Sequence, residues 1–341
     1  MKHPRSILGL APLELIWETP DPFLMCVHHV DNYPMGNHAM GPKASLQGHS
    51  IGQDFLPVNG DPWRMYHGVA VPGFPQHPHR GFETVTVTRT GFVDHADSLG
   101  AAGRYGNGDT QWMTSGCGIQ HSEMFPLLNE TRRNPLEFFQ IWLNLPALSK
   151  MAAPHFSMLW DEATPLVRTL DANNNESKIK IIAGEFDDIS APAPPPNSWA
   201  ANPDNHVAIW AIDMRPGAQL RLPPTIQGIN RRIFLYEGDK LLVDDYRIPR
   251  QYHVDLVSHT GPRLTSGDQG ARILLLQGRP INEPLVQHGP FVVNSEYELQ
   301  RAFADFQSTQ FGGWPWPGNY VVHDRDQGRF ARFPNGKEYE P

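Results

Sequence analysis

Two short triplets of polar residues constrain this chain more than any other feature of its sequence. They are His77-Pro78-His79 and His121-Ser122-Glu123. In an extended strand, residues two apart project to the same face, so each triplet can direct two side chains at one point. Two such strands side by side would supply three imidazoles and one carboxylate, a set that suits a borderline divalent transition metal and leaves coordination positions open. The spacing therefore predicts a catalytic or ligand-binding metal site carried by β-strands.

The length of the chain and its turn-forming residues indicate an all-β protein with two domains. At 341 residues, the chain is longer than one compact domain usually is. Its 30 glycines and 33 prolines are scattered among apolar runs, which fits many short strands joined by turns better than it fits disorder. We therefore expect an all-β fold with ample chain to bury a core.

The charge, the hydropathy and the cysteine content indicate which partners the protein can bind and in which compartment it lies. The formal net charge is −8, with 28 basic residues against 36 acidic ones and no cluster of lysines and arginines, so we expect no direct binding to nucleic acid. No window approaches the roughly 18 apolar residues of a membrane span. Cys26 and Cys117 are the only cysteines, so no disulfide framework is expected. Together these features predict a soluble, cytoplasmic protein without a membrane anchor.

The segment around the triplets contains one clear strand and one run of glycines. Residues 84–88 alternate between threonine and valine, which is typical of a half-buried strand. Counting back by twos places the valines on the face that carries Glu83, His79 and His77. Residues 94–109 are punctuated by four glycines. We predict a chain of turns there, because the spacing matches no nucleotide-binding loop and no helix follows.

Cys117 lies between Gly116 and Gly118, four residues before His121. The two glycines predict close backbone approach or positive φ beside the second triplet. A nucleophilic role for Cys117 is disfavoured, because no orienting partner is identifiable and free cysteines are commonly buried and inert. A serine hydrolase is disfavoured as well, because the chain has no GxSxG motif.

The second half of the chain continues the β pattern without a second metal motif. Strands are predicted for the apolar runs at residues 136–145, 178–184, 207–210, 232–236, 240–243 and 272–276. Residues 191–196 predict a stiff, extended connector because four of the six are prolines. Asn294 is predicted to cap a helix from Glu296 to Phe306, and the tail from Gly312 is predicted to wrap the surface.

The residues around the triplets also carry a family resemblance. The residues concerned are His77-Pro78-His79-Arg80-Gly81-Phe82-Glu83-Thr84-Val85, Asp97-Ser98-Leu99-Gly100, Gly108-Asp109, Gln111-Trp112-Met113-Thr114, Gly118-Ile119 and His121-Ser122-Glu123-Met124. Together they resemble the pirin family of bicupins. The resemblance is most specific over residues 73–125 and looser beyond them.

The resemblance implies two stacked cupin barrels of the double-stranded β-helix, or jelly-roll, type, followed here by the C-terminal helix. We expect a metal-binding barrel over residues 1–160, a degenerate barrel over 161–300, and the end of the helix with an irregular tail over 301–341. The family pattern implies a single iron in the first barrel, held by His77, His79, His121 and Glu123, and no metal in the second. Mn, Ni, Cu or Zn could occupy the same ligands.

Two functions follow from the resemblance. Pirins are associated with flavonol 2,3-dioxygenase activity on quercetin, which would make Glu123 the base that accepts the proton of the 3-hydroxyl before the ring opens with loss of carbon monoxide. Pirins are also associated with iron-dependent binding to transcription regulators, which would make this chain a non-catalytic regulatory protein with a protein partner. Glu83 is the competing carboxylate, as ligand or as base. Asn107 and Cys117 depart from residues frequent in the family.

Overall fold

The structure is a computed structural model, and it describes residues 4–58 and 60–341. Strands make up 45% of the chain and one α-helix lies near the C-terminus, so the predicted all-β class with a C-terminal helix is confirmed. Within the described residues, no helix has the length and apolar character needed to cross a membrane.

Strands of the first half, in chain order, are β1 (Ile7–Pro12), β2 (Ile16–Trp17), β3 (Phe23–Tyr33), β4 (Gly73–His79), β5 (Phe82–Thr90), β6 (Phe92–Asp97), β7 (Ala102–Gly106), β8 (Thr110–Thr114), β9 (Ile119–Met124), β10 (Asn134–Asn144) and β11 (His155–Leu159). Most of them are short, and turns connect them.

Strands of the second half are β12 (Leu166–Leu170), β13 (Glu176–Ala183), β14 (Glu185–Phe186), β15 (Ile189–Ser190), β16 (Ala208–Met214), β17 (Gln219–Arg221), β18 (Asn230–Gly238), β19 (Lys240–Val243), β20 (Tyr246–Pro249), β21 (Tyr252–Leu256), β22 (Arg263–Ser266), β23 (Ala271–Gly278), β24 (Val286–His288), β25 (Phe291–Val293), β26 (Phe330–Arg332) and β27 (Glu338–Tyr339). The helix α1 spans Glu296–Thr309, and short 3₁₀ helices span Asp161–Ala163, Trp199–Ala201, Pro203–Asn205 and Gln310–Gly312.

The chain divides into two compact units, each built from separate segments. Unit 1 comprises Met1–Val27, Trp142–Pro146 and Glu162–Asn282, and unit 2 comprises His28–Ile141, Ala147–Asp161 and Glu283–Pro341. The domain boundaries predicted from the sequence, 1–160, 161–300 and 301–341, stay a prediction. Both predicted triplets lie in unit 2.

Unit 2 contains two antiparallel sheets whose inner faces contact each other. One sheet has the strand order β11-β8-β5-β10-β3, and the other has the order β27-β26-β7-β6-β9-β4. A hydrogen bond from Thr86 of β5 to Glu123 of β9 joins the two sheets across the interior. Aromatic side chains fill much of the core, including Trp63, Tyr66 and Phe138. The histidine triplets therefore lie on strands β4 and β9, which are neighbours in one sheet.

Unit 1 repeats the two-sheet arrangement with a more aliphatic core. Its large sheet has the order β1-β21-β18-β23-β16-β13-β12, and its small sheet has the order β17-β22-β19-β20. Isoleucine, leucine and valine dominate the buried cluster between them, joined by Phe186 and Trp210. The strands predicted at residues 178–184, 207–210, 232–236, 240–243 and 272–276 are all confirmed in this unit.

The helix and the tail after it pack onto unit 2. The helix begins at Glu296, as predicted, and continues past the predicted end at Phe306 to Thr309. Its N-cap is Ser295 and not Asn294, because the Ser295 side chain accepts the hydrogen bond from the backbone N–H of Glu298. Asp305 in the helix binds Arg80 at 2.8 Å. The tail does more than wrap the surface: its strand β26 pairs with β7 and so extends the sheet that carries the histidines.

Two predictions about local structure are wrong. The glycine-punctuated segment 94–109 is not a chain of turns, because it contains the end of β6 and all of β7. Glycines interrupt the hydrophobic alternation there, but the paired backbone still forms a ladder. The alternation of faces also does not continue from β4 into β5, because Gly81 between them adopts a φ of 86° and interrupts the extended conformation. Counting by twos across Gly81 therefore wrongly placed Glu83 and the valines of β5 on the face of His77 and His79.

Candidate metal centre

Strands β4 and β9 bring the three predicted histidines together. They pair antiparallel with His77 opposite His121, and an irregularity in β4 between Phe74 and His77 adjusts the register. The Nε2 atoms of His77 and His121 are 2.9 Å apart. One ring nitrogen from each of His77, His79 and His121 lies within 4.8 Å of the others, so this group could hold a metal ion.

Burial keeps these imidazoles in the form that binds metals. Desolvation lowers the pKa of His77 to about 4, and it lowers the pKa values of His79 and His121 well below the usual range. Neutral rings present a lone pair at pH 7. Nδ1 of His77 is 2.7 Å from the carbonyl oxygen of Pro75, and an N–H donated there leaves its Nε2 free as a ligand. The donor set therefore fits a transition-metal cation.

Glu123 lies beside the three histidines and is held by its own set of donors. Its Oε2 atom is 3.7 Å from Nε2 of His121. Thr86 donates to Oε1 at 3.1 Å, Tyr105 donates to the same oxygen at 3.5 Å, and Gln140 donates to Oε2 at 3.4 Å. Burial raises the pKa of Glu123, and these hydrogen bonds act against that rise. The Glu123 carboxylate therefore lies next to the three histidines, but it is not one of the residues whose ligand atoms all lie within 4.8 Å of one another.

Glu83, the competing carboxylate, points elsewhere. It pairs in register with Thr114 of β8, whose hydroxyl donates to it at 2.6 Å. Glu83 and Thr86 are three positions apart on one regular strand, so they project to opposite faces. Thr86 faces Glu123, and Glu83 therefore faces away from the histidines. The structure brings Glu123, not Glu83, to the candidate site.

Sequence reasoning missed the residues that orient Glu123. Thr86 belongs to the threonine face of the alternating stretch, which the analysis of the sequence had assigned to the wrong side. Tyr105 lies in the segment taken for turns, and Gln140 lies on β10. His95 was also missed: it pairs with Glu123 in register, and its ring centroid is 5.6 Å from that of His121. The only signal for His95 was its spacing of two from Asp97, which its Nε2 contacts at 3.2 Å.

Residues 116–118, just before β9, have a backbone conformation that requires glycine on both sides of Cys117. Gly116 and Gly118 have φ values of 48° and 132°, which confirms the predicted positive φ. A Cβ atom at Gly116 would lie 2.0 Å from the carbonyl oxygen of Ala152, so only glycine fits. Cys117 itself accepts a hydrogen bond from Arg80 through its carbonyl oxygen at 2.7 Å and donates its N–H to Ala152. Its backbone therefore links two neighbouring segments.

A pair of isosteric substitutions on β5 tests the support of Glu123. Thr86→Val removes the hydroxyl that bridges Glu123 and Gln140. We expect it to lower the affinity for Fe(II) or Zn(II) about tenfold, measured by chelator competition, because groups that orient a ligand contribute at this scale. Thr84→Val is the control, because the Thr84 hydroxyl is buried on the same face and has no hydrogen-bond partner among the described residues. Equal metal affinities in the two variants would show that the Thr86 hydroxyl does not support Glu123 as a ligand.

Comparisons with known proteins agree with this geometry. A family model described as Pirin matches residues 27–143, and one described as Pirin C-terminal cupin domain matches residues 209–312. Over 240 residues, the chain is 35% identical to "Putative quercetin 2,3-dioxygenase PA2418" from Pseudomonas aeruginosa, covering 70% of this chain and 79% of that protein. Over 248 residues, it is 36% identical to "Pirin-1" from Arabidopsis thaliana, covering 70% and 78%.

The similarity extends to solved structures. The crystal structure of quercetin 2,3-dioxygenase from Acinetobacter baumannii superimposes with a TM-score of 0.69 at 26% sequence identity, covering 90% of this chain and 98% of that one. Together with the match to a cupin domain, this confirms the predicted pair of cupin barrels.

Proposed function

Because the chain belongs to the pirin family, we propose that it is a metal-dependent dioxygenase that cleaves flavonols such as quercetin. The metal is a mononuclear iron held by His77, His79, His121 and Glu123. The observation that carries this proposal is the convergence of three neutral imidazoles, two of them buried and that of His77 half-buried, beside an oriented carboxylate. The names of relatives and of a structural neighbour support the substrate class.

Each part of the site has a role in this proposal. When bound, the metal supplies Lewis-acid and redox chemistry for the reaction between the flavonol and dioxygen. Glu123 accepts the proton of the flavonol 3-hydroxyl, since it is the carboxylate closest to the histidines. Thr86, Tyr105 and Gln140 hold its two oxygens in place. Burial of His79, His121 and Glu123 limits access of bulk water, and His77 is half-buried.

Paired substitutions of the two glutamates test the base. Glu123→Gln keeps the size of the side chain but cannot accept the proton, so we expect oxygen uptake with quercetin to fall by about 10²-fold or more. Glu83→Gln is the matched control, because a glutamine can still accept the hydrogen bond from Thr114 and its side chain faces away from the histidines. We expect near wild-type uptake from it. Wild-type oxygen uptake in Glu123→Gln would show that Glu123 is not the base. Loss of oxygen uptake in Glu83→Gln alone would make Glu83 the base instead.

Metal content decides between this proposal and a regulatory role. Elemental analysis of protein reconstituted separately with Fe, Mn, Ni, Cu and Zn identifies which ions the site retains. Oxygen uptake on the same samples identifies which of them support turnover. Stoichiometric metal without uptake for any ion would overturn the dioxygenase proposal in favour of a non-catalytic protein whose metal state a protein partner reads.

A further inference from the structure

Unit 1, which has no HxH or HxE triplet, contains a cavity of about 520 Å³. Its walls come from the segment after β13, from the proline-rich run before the 3₁₀ helices, and from strands β16, β18 and β23. The proline side of the wall consists of Pro192, Pro194, Pro203, Pro223 and Pro224. A cavity of this size is in the range of small-molecule sites in proteins.

Arg231 is the charged side chain at the inner wall of this cavity. It lies on β18 in register with Gln277 of β23, which in turn pairs with Ala208 of β16. Two residues further along, Ile233 and its partners belong to the buried core of the unit. Side chains two apart share a face, so Arg231 points into the barrel at the row next to the core.

Among the residues that the structure describes, no carboxylate pairs with the guanidinium of Arg231. Its Nε donates to Oε1 of Gln277 at 2.6 Å, and its Nη1 donates to the carbonyl oxygen of Pro223 at 2.8 Å. No hydrogen bond of Nη2 occurs within residues 4–58 and 60–341. The next residue, Arg232, differs, because Asp255 accepts from its Nε and Nη2. A charge that is 97% buried without an opposite charge is rare in proteins, because its desolvation is uncompensated.

Electrostatics support the same conclusion. Burial lowers the pKa of Arg231 to about 10. An anion placed beside the guanidinium would restore the interaction that burial removes. The cavity therefore favours a ligand of negative charge.

The Trp210 ring forms part of the wall of the same cavity. Its Nε1 atom is buried within the wall and has no hydrogen-bond partner among the described residues. Because that N–H is not exposed to the cavity, the donor left for a ligand is Nη2 of Arg231, which an oxygen acceptor satisfies.

We propose that this cavity of unit 1 binds a small organic monocarboxylate with an apolar body. A carboxylate matches the fork of a guanidinium, and the proline-lined wall with the Trp210 ring accommodates an apolar portion. A single guanidinium compensates one negative charge. Glu185, Asp187 and Asp204 are exposed and line the same cavity, so they repel a ligand with two negative charges more strongly than a ligand with one. The ligand class is thus a monoanion and not a phosphate.

Calorimetric titration of the full chain tests the proposal with three probes. Benzoate has the proposed charge and an apolar ring, benzamide has the same shape without the charge, and inorganic phosphate is an anion without an apolar body. We expect saturable binding of benzoate with a dissociation constant below about 10 mM. We expect benzamide and inorganic phosphate to bind at least about tenfold more weakly. No saturable binding of benzoate would overturn the proposal. Phosphate binding tighter than benzoate would replace the carboxylate with an inorganic anion.

Variants assign the binding to the cavity. Arg231→Met is expected to weaken benzoate binding about tenfold or more, while Arg221→Gln, which alters an exposed arginine outside the cavity, leaves it unchanged. Trp210→Phe keeps an aromatic ring, and it identifies the indole N–H signal in the ¹H–¹⁵N spectrum. That signal is expected to shift when benzoate is added to the wild-type protein, which tests the site even if Arg231→Met does not fold. Unchanged binding in Arg231→Met, or an unmoved indole signal, would contradict the proposal.

Discussion

His121→Ala is expected to abolish stoichiometric metal binding and, with it, oxygen uptake in the presence of quercetin. His121 is the central member of the group: its Nε2 is 2.9 Å from Nε2 of His77 and 3.7 Å from Oε2 of Glu123. Alanine removes a ligand from the middle of the donor set and leaves two imidazoles on β4. We expect the affinity for Fe(II) to fall by on the order of 100-fold or more, since even groups that only orient a ligand contribute up to about that much.

The comparison variant for this experiment is His38→Ala. His38 is an exposed histidine of unit 2, so its loss changes histidine content without touching the candidate site. Elemental analysis after reconstitution and dialysis gives metal per chain, and near-ultraviolet circular dichroism checks that the fold is kept. We expect His38→Ala to retain wild-type metal content. Full metal occupancy in folded His121→Ala would mean that the three histidines are not the site.

Much of this site could be predicted because its signal is local. Two residues at spacing two on a strand share a face whatever the rest of the fold does, so the sequence alone predicts that His77, His79, His121 and Glu123 act together. The structure brings the three histidines close together, and their role as metal ligands stays a prediction. The strands that carry them needed only to be neighbours, and β4 and β9 are. Regular apolar runs, such as those of β13 and β23, were found for the same reason, because burial on a strand leaves a repeating pattern.

The features that could not be predicted are contacts between residues far apart in sequence and strands whose alternation is interrupted by glycine. Thr86 contacts Glu123 across 37 positions of sequence, and Gln140 contacts it across 17, so no local pattern could join them. Glycines in β7 and at position 81 broke the alternation on which strand prediction depends, which led to the two wrong predictions about segment 94–109 and the face of Glu83. The sequence could not predict that Arg231 lacks an acidic partner for a related reason, because only the fold shows that no acid of the described segments pairs with it.

Tertiary contacts also explain why the tail is part of unit 2. Arg104 on β7 is fully buried and binds Asp94, its cross-strand partner on β6, through two hydrogen bonds of 2.7 and 2.8 Å. The same guanidinium donates to backbone carbonyl oxygens of the tail at His323, Asp324 and Gln327, at distances of 2.7–2.9 Å. One side chain thus satisfies a buried acid and fixes the segment that leads into β26.

Arg104→Leu is therefore expected to destabilise the protein by about 3–5 kcal/mol, because it leaves Asp94 buried without its opposite charge. The tail carbonyl groups lose their donor at the same time. Denaturant unfolding followed by circular dichroism measures the free energy of unfolding, and limited proteolysis reports earlier cleavage in the tail. Arg332→Leu is the control, because Arg332 forms an exposed ion pair with Glu338 and such pairs contribute about 0–1 kcal/mol.

A double variant separates the buried charge from the lost tail contacts. In Asp94→Leu/Arg104→Leu no unpaired charge remains, so we expect part of the stability lost in Arg104→Leu to return. The return is incomplete, because the carbonyl groups of His323, Asp324 and Gln327 still lack their donor and the N–H of His323 loses Asp94 as an acceptor. A double variant less stable than Arg104→Leu would show that the tail contacts, and not the buried ion pair, dominate the effect. A loss in Arg104→Leu no larger than the loss in Arg332→Leu would show that the buried ion pair contributes no more to stability than the exposed one.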